Sequence, residues 1–295
     1  MFRLLLAASL VTLVSCTPKS SGLIEKGQNS SIINGHEVKE GAPITASIVA
    51  LFDTKENFIC TGSLIAPNIV LTAAHCMPNR ASDLKVVFAN NVDSVLNARE
   101  QDILQTYVLT ATDFKTYSTW KENSQVQVDR GDIALVKFKG QAPEGYKPAT
   151  FLPDQSALKK GAMVTVAGYG VDLVETKDLD PKKYRGNLDE AIEFGEVICD
   201  DNKRNCMTVD MSGDGILRQT EAPISSLQQT ELRLDESKAG TCSGDSGGPA
   251  YIEKDGKFYL FGITSRGSVL CDDTGVYTNA LEYKQWIADT IKVLK

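Results

Sequence analysis

The segment Gly244-Asp245-Ser246-Gly247-Gly248-Pro249 places a serine between glycines in a chain of 295 residues. Glycine on both sides of Ser246 allows a tight turn that exposes the hydroxyl and lets a substrate backbone approach closely. The N–H groups of Gly244 and Ser246 can then point at one spot, where they would stabilise the oxyanion of a tetrahedral intermediate. Because glycine clusters are common in loops, this turn predicts a nucleophile only if the chain also supplies a base.

A histidine is the base that such a serine needs at neutral pH, and the sequence contains only His36 and His75. His36 lies in a polar stretch, whereas His75 follows an apolar strand and precedes Cys76, which can fix its position. The carboxylate that orients the base should be buried near it. Asp132 leads the next strongly apolar strand and is the predicted partner, with Asp129, in polar surroundings, as the alternative.

The chain predicts an all-β fold. Short strands are expected at 44–52, 63–74, 83–88, 101–109, 133–138, 164–167, 258–263 and 275–278, with Gly, Asn and Asp between them. Many short strands of this kind are typical of a barrel or a sandwich. A C-terminal helix is predicted because apolar residues recur there at helical spacing, namely Leu281, Trp286, Ile287, Ile291 and Leu294.

Residues 172–214 break this rhythm, since they are charged and contain Pro181. We interpret them as an inserted surface loop, tied at its tip by a disulfide between Cys199 and Cys206. Calcium binding by the acidic residues of this segment is an alternative interpretation, although their spacing does not match an EF-hand loop. We expect no metal or other cofactor, because the two histidines and the lack of a Cys-x-x-Cys motif argue against zinc.

The N-terminal residues resemble a bacterial lipoprotein signal. Arg3 precedes an apolar run, residues 4–14, that is too short to span a bilayer, and the run ends at Leu13-Val14-Ser15-Cys16. We predict a signal peptide over 1–15, lipidation of Cys16, and a polar tether or propeptide over 16–31. A plain signal peptide that happens to contain a cysteine is the alternative.

Charge and cysteine content agree with an exported protein that does not bind nucleic acid. The formal net charge is -7, whereas a nucleic-acid-binding surface is usually basic. Seven cysteines are present, and lipidation of Cys16 would leave six for disulfides. The expected location is the bacterial cell envelope, with the lipid as the only membrane attachment, or the exterior after cleavage.

Taken together, these motifs resemble the chymotrypsin/trypsin family of serine proteases, in which the triad also follows the order His, Asp, Ser. The matching blocks run in the family's order over nearly all of residues 32–295. They are Ile32-Ile33-Asn34-Gly35, Cys60-Thr61-Gly62-Ser63-Leu64-Ile65, Thr72-Ala73-Ala74-His75-Cys76, Asp132-Ile133-Ala134-Leu135, Gly168-Tyr169-Gly170, Cys242-Ser243-Gly244-Asp245-Ser246-Gly247-Gly248-Pro249, Gly275-Val276-Tyr277 and Trp286-Ile287.

The resemblance implies two packed six-stranded antiparallel β-barrels with a C-terminal helix, together forming a trypsin-like peptidase domain over 32–295. His75 and Asp132 would come from the first barrel and Ser246 from the second. Cys60 would pair with Cys76, and Cys242 with Cys271. Protein or peptide substrates and a monomeric enzyme are expected.

The resemblance also implies activation by cleavage. In the family a newly freed isoleucine amine pairs with the aspartate before the nucleophile, and the matching positions here are Ile32 and Asp245. The preceding residue is Ser31 rather than Arg or Lys, so the sequence does not identify the protease that would cleave there.

The residues of the primary substrate pocket follow from the same resemblance. They are Gly240, Thr241, Ser265, Gly267 and Gly275. Gly240 stands where trypsin-like enzymes carry an aspartate, so a neutral or apolar side chain is expected before the cleaved bond, unless Asp272 or Asp273 enters the pocket.

Two other functions stay open on the sequence. A protease-like binding protein that has lost catalysis would usually show a broken triad, and an esterase or lipase would show the serine motif in an α/β chain with the histidine last.

Overall fold

The computed structural model describes residues 32–120 and 130–294. The predicted signal peptide, Cys16, the tether, Ser31 and the alternative carboxylate Asp129 lie outside the described residues. The strands are β1 His36–Glu37, β2 Ile48–Asp53, β3 Phe58–Ala66, β4 Ile69–Thr72, β5 Leu84–Val87, β6 Val108–Thr116, β7 Ala134–Phe138, β8 Thr150–Phe151, β9 Met163–Gly168, β10 Leu173–Leu179, β11 Val197–Cys199, β12 Cys206–Ser212, β13 Arg218–Leu227, β14 Glu231–Asp235, β15 Pro249–Lys254, β16 Lys257–Arg266 and β17 Thr274–Asn279.

Helices lie between several of the strands, and one helix follows the last strand. The α-helices are α1 Val92–Leu96, α2 Gln101–Tyr107, α3 Leu188–Glu193 and α4 Lys284–Leu294. Short 3-10 helices span Pro43–Ser47, Ala74–Cys76, Ala81–Asp83, Pro181–Lys183 and Ala280–Tyr283. None of the helices in the described part of the chain is long and apolar enough to cross a membrane.

The first half of the chain forms a closed antiparallel barrel in the order β2-β3-β4-β7-β6-β5. Its strands carry long apolar runs, and β4 is buried along its whole length. β4 and β7 pair antiparallel with Leu71 opposite Leu135. This register brings the end of β4, where His75 follows, next to the start of β7, where Asp132 precedes.

The second half forms another closed antiparallel barrel. β13 pairs with both β14 and β9, which closes the path β13-β14-β17-β16-β15-β9. β1 extends this sheet at β13, and β8 adds a short parallel pairing to β16. The two barrels and the C-terminal helix confirm the predicted fold class.

The C-terminal helix packs its apolar side against the first barrel. Ile287 and Leu294 are buried in the core of the first barrel, with Trp286 and Ile291 packed against it. The second barrel has its own core, which includes Val166, Phe261 and Tyr277. The core of the first barrel also includes Tyr251 and Leu260 of the second barrel, so the two barrels pack directly against each other.

The strand predicted at 101–109 is wrong over most of its length. Gln101–Tyr107 is the helix α2, and the strand β6 begins only at Val108. Ile103 and Tyr107 pack partly against the barrel core. They are four residues apart, which is a helical spacing, so an α-helix brings both to the same face.

The segment 172–214, called the insertion below, is more regular than the predicted loop. It contains a three-stranded antiparallel sheet in the order β10-β12-β11, together with α3. It also has a small core of its own, formed by Ala191, Val197 and Cys206. Two of its acidic residues serve this local structure, because Asp210 pairs with Lys177 and Asp200 accepts the backbone N–H of Arg204.

Candidate active site

His75 and Asp132 meet at one end of the first barrel, after β4 and before β7. The Nδ1 atom of His75 lies 2.8 Å from Asp132 Oδ2, and the backbone N–H groups of Ala74 and His75 donate to Asp132 Oδ1 at 2.8 and 3.1 Å. The Ser265 hydroxyl donates to Asp132 Oδ2 at 2.6 Å from the second barrel. Asp132 is 2% exposed, whereas the side chain of His75 remains 32% exposed. The carboxylate is therefore fixed, and the imidazole is open to a ligand.

These contacts keep Asp132 ionised. Burial by itself would raise the pKa of its carboxyl, but the charge of His75 and the hydrogen bonds from His75 and Ser265 outweigh burial and hold the pKa below its usual value. An ionised Asp132 keeps the proton of a neutral imidazole on Nδ1. The Nε2 atom is then left as a hydrogen-bond acceptor. The other histidine, His36, is exposed on β1 and contacts Gln219.

A disulfide anchors the turn that carries His75. Cys60 in β3 and Cys76 are bonded, and the Thr72 hydroxyl donates to the carbonyl of Thr61 at 2.8 Å. The same strand contacts the serine turn, since the N–H of Thr61 donates to the carbonyl of Ser246 at 2.8 Å. β3 therefore links the histidine to the candidate nucleophile.

The serine turn adopts the backbone that its glycines predict. Gly244 and Gly247 have φ of +96° and +80°, a region that residues with a side chain rarely adopt. A Cβ atom built on Gly247 would collide with Thr72 Oγ1 and with the carbonyl of Thr61. Glycine is thus required at Gly247 both for conformation and for space.

Asp245 points into the protein from the same turn. It is fully buried and accepts the N–H groups of Gly170 and Cys242 at 2.8 and 2.9 Å. Burial raises the pKa of its carboxyl to about 7, although both hydrogen bonds and the charge of Arg218 oppose this shift. Ile32 is also buried. The next residue, Ile33, pairs with Gly240 in the segment that leads to Ser246.

A cavity of about 450 Å³ opens beside Ser246. Of the five predicted pocket residues, Thr241 and Gly267 line this cavity. Gly240 and Gly275 instead lie against the side chain of Glu236, where a Cβ atom on either would collide with it. Ser265 is turned toward Asp132, as described above.

The cavity also has lining residues that the sequence did not suggest. The insertion contributes one wall through Ile192, Phe194, Val209 and Met211. No motif identifies these residues, because their position depends on how the insertion folds back over the second barrel. Arg266, also at the cavity, forms a bidentate ion pair with Glu231 at 2.7 and 2.9 Å.

The three disulfides of the structure follow the predicted pairing. Cys60 bonds to Cys76, Cys199 to Cys206, and Cys242 to Cys271. The first and third stiffen the segments next to His75 and Ser246. The second lies within the insertion.

Comparison with known proteins agrees with this geometry. The family model described as Trypsin matches residues 32–287. Human kallikrein-8 is 30% identical over 271 residues, which cover 90% of this chain and 88% of the relative. The mouse kallikrein 1-related peptidase b27 is 28% identical, covering 84% of this chain and 91% of the relative. Snake venom serine protease 1 from Craspedocephalus gramineus is 27% identical, covering 97% and 94%. The chain belongs to the trypsin family.

Proposed function

We propose that this protein is a serine endopeptidase that cleaves peptide bonds through Ser246, His75 and Asp132. The observation that carries the proposal is the His75–Asp132 pair, buried on the carboxylate side and open on the imidazole side, in a trypsin-family chain whose Ser246 lines a cavity. Substrates are proteins or peptides.

In the proposed mechanism the Ser246 Oγ attacks the carbonyl carbon of the scissile bond while His75 Nε2 takes the hydroxyl proton. Asp132 holds the imidazole orientation and stabilises the imidazolium that forms. The N–H groups of Gly244 and Ser246 donate to the oxyanion. His75 then gives the proton to the leaving amine, and water, deprotonated by the same histidine, hydrolyses the acyl-enzyme and restores Ser246.

We further propose that the chain is exported as a lipoprotein and made as a zymogen. The support is the sequence Leu13-Val14-Ser15-Cys16, the even number of remaining cysteines, and the buried Asp245, whose carboxylate would gain a cation from a new amine at Ile32. Cleavage between Ser31 and Ile32 would then both activate the enzyme and release it from its anchor.

A fluorophosphonate tests the catalytic proposal, because it reacts only with an activated serine. We expect the form that begins at Ile32 to gain the mass of one phosphonyl group at Ser246, and to lose that labelling in Ser246→Ala. A folded Ile32 form that is not labelled would instead favour a silent, protease-like binding protein. Hydrolysis of a protein substrate such as casein distinguishes an endopeptidase from an esterase.

A further inference from the structure

Glu236 is a buried carboxylate that the proposed mechanism does not use. It is 4% exposed, and its oxygens accept the Thr241 hydroxyl at 3.2 and 3.3 Å and the hydroxyl of Tyr277. Burial raises the pKa of its carboxyl to about 7, although the bonds from Tyr277 and Thr241 oppose the shift. The ion pairs found in residues 32–120 and 130–294 do not include Glu236. A buried carboxylate without a cation is costly, so its retention needs a reason.

The carboxylate occupies space that two glycines leave open. A Cβ atom on Gly240 would collide with the Cβ, Cγ and Cδ atoms of Glu236, and a Cβ atom on Gly275 would collide with its carboxylate oxygens. Gly275 in turn borders Gly267, since a Cβ atom on Gly267 would lie 4.0 Å from the Gly275 Cα. Glu236 therefore fills the volume into which side chains at both glycines would project.

This volume adjoins the cavity beside Ser246. Thr241, whose hydroxyl contacts both oxygens of Glu236, lines that cavity together with Gly267 and Ser246. Thr241 and Gly267 thus connect the candidate nucleophile to the buried carboxylate. A long side chain that enters beside Ser246 and passes these two residues would reach Glu236.

The charges around the cavity favour a cationic occupant. Glu193 and Glu196 of the insertion line the cavity. Within residues 32–120 and 130–294, Arg266 is the basic residue that lines it, and its guanidinium is engaged by Glu231. A cation at the inner end would find the Glu236 carboxylate already oriented by two hydroxyl donors.

We propose that Glu236 is the floor of the primary substrate pocket and selects Arg or Lys immediately before the cleaved bond. This inference rests on the proposed function, and it replaces the neutral or apolar preference expected from Gly240 alone. Glu236 stands four residues before Gly240 in the chain, outside every motif quoted above. Gly240 and Gly275 are small because they make room for it.

The test compares two peptide substrates that differ only in Arg or Leu before the cleaved bond. For the form that begins at Ile32, kcat/KM should favour Arg. In Glu236→Gln, which keeps the shape and a hydrogen-bond acceptor, the Arg-to-Leu ratio should fall on the order of 10²-fold or more, because the substrate cation loses its buried partner. The matched control is Asp235→Asn, which neutralises the exposed neighbouring acid and should leave the ratio unchanged.

The pH dependence of the Arg-to-Leu ratio is a second measurement. If Glu236 had only a structural role, this ratio would not change with pH. A change in the catalytic groups that is common to both substrates cancels in the ratio. The ratio should rise as pH rises through about 7, where Glu236 ionises in the free enzyme. The titratable groups facing Glu236 are Tyr277 and Asp245, whereas Asp273 accepts the N–H of Glu236 with its backbone carbonyl. Tyr277 and Asp245 both remain in Glu236→Gln, so a flat ratio in that variant would assign the titration to Glu236.

The outcomes separate this inference from the function on which it rests. No hydrolysis of either peptide and no fluorophosphonate labelling would overturn the proposed function. Labelling with a preference for Leu, or a ratio that survives Glu236→Gln, would overturn only the role of Glu236. If the variant does not fold, binding of the aromatic amidine p-aminobenzamidine to the unmodified Ile32 form decides. Competition with the Arg peptide supports the inference, and the absence of binding overturns it.

Discussion

At the scale of single residues, Asp132 joins the two barrels. The first barrel contributes the donors of Ala74 and His75, and the second contributes the Ser265 hydroxyl. Ser265 was predicted as a pocket residue, because the resemblance gives its place in the chain and not the direction of its side chain. Its contact at 2.6 Å with Asp132 Oδ2 would make it a positioning residue in the proposed mechanism.

We expect Ser265→Ala to lower kcat/KM. A lost hydrogen bond to a charged group is worth about 1.5–3 kcal/mol, which corresponds to about 10- to 100-fold in rate if the transition state carries the whole loss. The pKa of the Asp132 carboxyl should also rise, because the Ser265 hydrogen bond lowers it. As the pH is lowered, the variant should therefore lose activity at a higher pH than the unmodified enzyme does. The pH profile of kcat/KM on one peptide measures both effects.

The matched control is Ser237→Ala. Its hydroxyl also donates to an aspartate at 2.6 Å, but Ser237 and Asp235 are exposed and lie outside the site. Hydrogen bonds of this kind between exposed groups contribute little, so the rate should stay unchanged. Equal rates for Ser265→Ala and the unmodified enzyme would remove Ser265 from the site.

Gly247 provides a second test at the residue scale. Gly247→Ala should destabilise the protein by about 3 kcal/mol or more, because the new Cβ collides with Thr72 and Thr61 in addition to the strained φ. Gly256→Ala is the control, since Gly256 has φ of +69° but nothing within 4 Å of the new Cβ. It should cost only about 1–2 kcal/mol, the price of the left-handed backbone alone. Thermal denaturation measures the loss of stability in both variants. Equal losses would contradict the predicted collision at Gly247.

At the residue scale, the sequence predicts local geometry that a single motif sets, and it does not predict contacts that only packing creates. The turn around Ser246 and the strand end at Asp132 are both visible as short sequence patterns. Glu236 is not, because its relation to the cavity exists only after the chain folds back to place Gly275 and Tyr277 against it. Its sequence signal is indirect, namely the glycines at Gly240 and Gly275, where a side chain would collide with Glu236.

At the scale of elements, barrel strands such as β4 and β7 were predictable because they are almost entirely buried and their apolar runs are nearly continuous. The strands β13, β14 and β15 were not predicted, because polar and charged residues interrupt their apolar runs. The sheet of the insertion was not predicted either, since most of β10 is exposed and three of its seven residues are charged. Its strands are fixed by pairing, with Cys199 directly opposite Cys206 in the β11–β12 register. A disulfide across such a pair acts on the unfolded insertion more than on the barrels.

We therefore expect the double variant Cys199→Ser, Cys206→Ser to loosen the insertion and spare the barrels. The short closed loop corresponds to about 2.5 kcal/mol of loop-closure entropy. Limited proteolysis should cut near residues 200–205 faster, while fluorophosphonate labelling persists. KM for peptides should rise, because the insertion supplies a wall of the cavity.

The contrasting variant removes the disulfide beside the base. Cys60→Ser with Cys76→Ser frees the turn that carries His75 and should lower the labelling rate itself. If the insertion variant lost labelling as fully as this one, the insertion would be coupled to the catalytic groups rather than to substrate binding alone.

At the scale of the whole molecule, the order of the motifs predicted more than any single motif did. The packed barrels bring the His75 and Ser246 turns close to each other, and β3 contacts both turns. The proposed linkage of Asp245 to the N-terminal segment belongs to the same scale, because it would depend on a covalent change outside the site.

The last prediction compares forms that begin at Thr17 and at Ile32. With residues 17–31 attached, Asp245 has a folded pKa of about 7, above its unfolded value, so its burial costs stability increasingly as pH rises from about 4 to 7. A free Ile32 amine, protonated over this range, would pair with the carboxylate and cancel that loss. The melting temperature of the Ile32 form should therefore exceed that of the Thr17 form by an amount that grows with pH up to about 7, and only the Ile32 form should react with a fluorophosphonate. Asp245→Asn should abolish the difference in melting temperature. Parallel melting curves and equal labelling of both forms would mean that the enzyme is active without cleavage, and that Asp245 serves only to hold the N–H groups of Gly170 and Cys242.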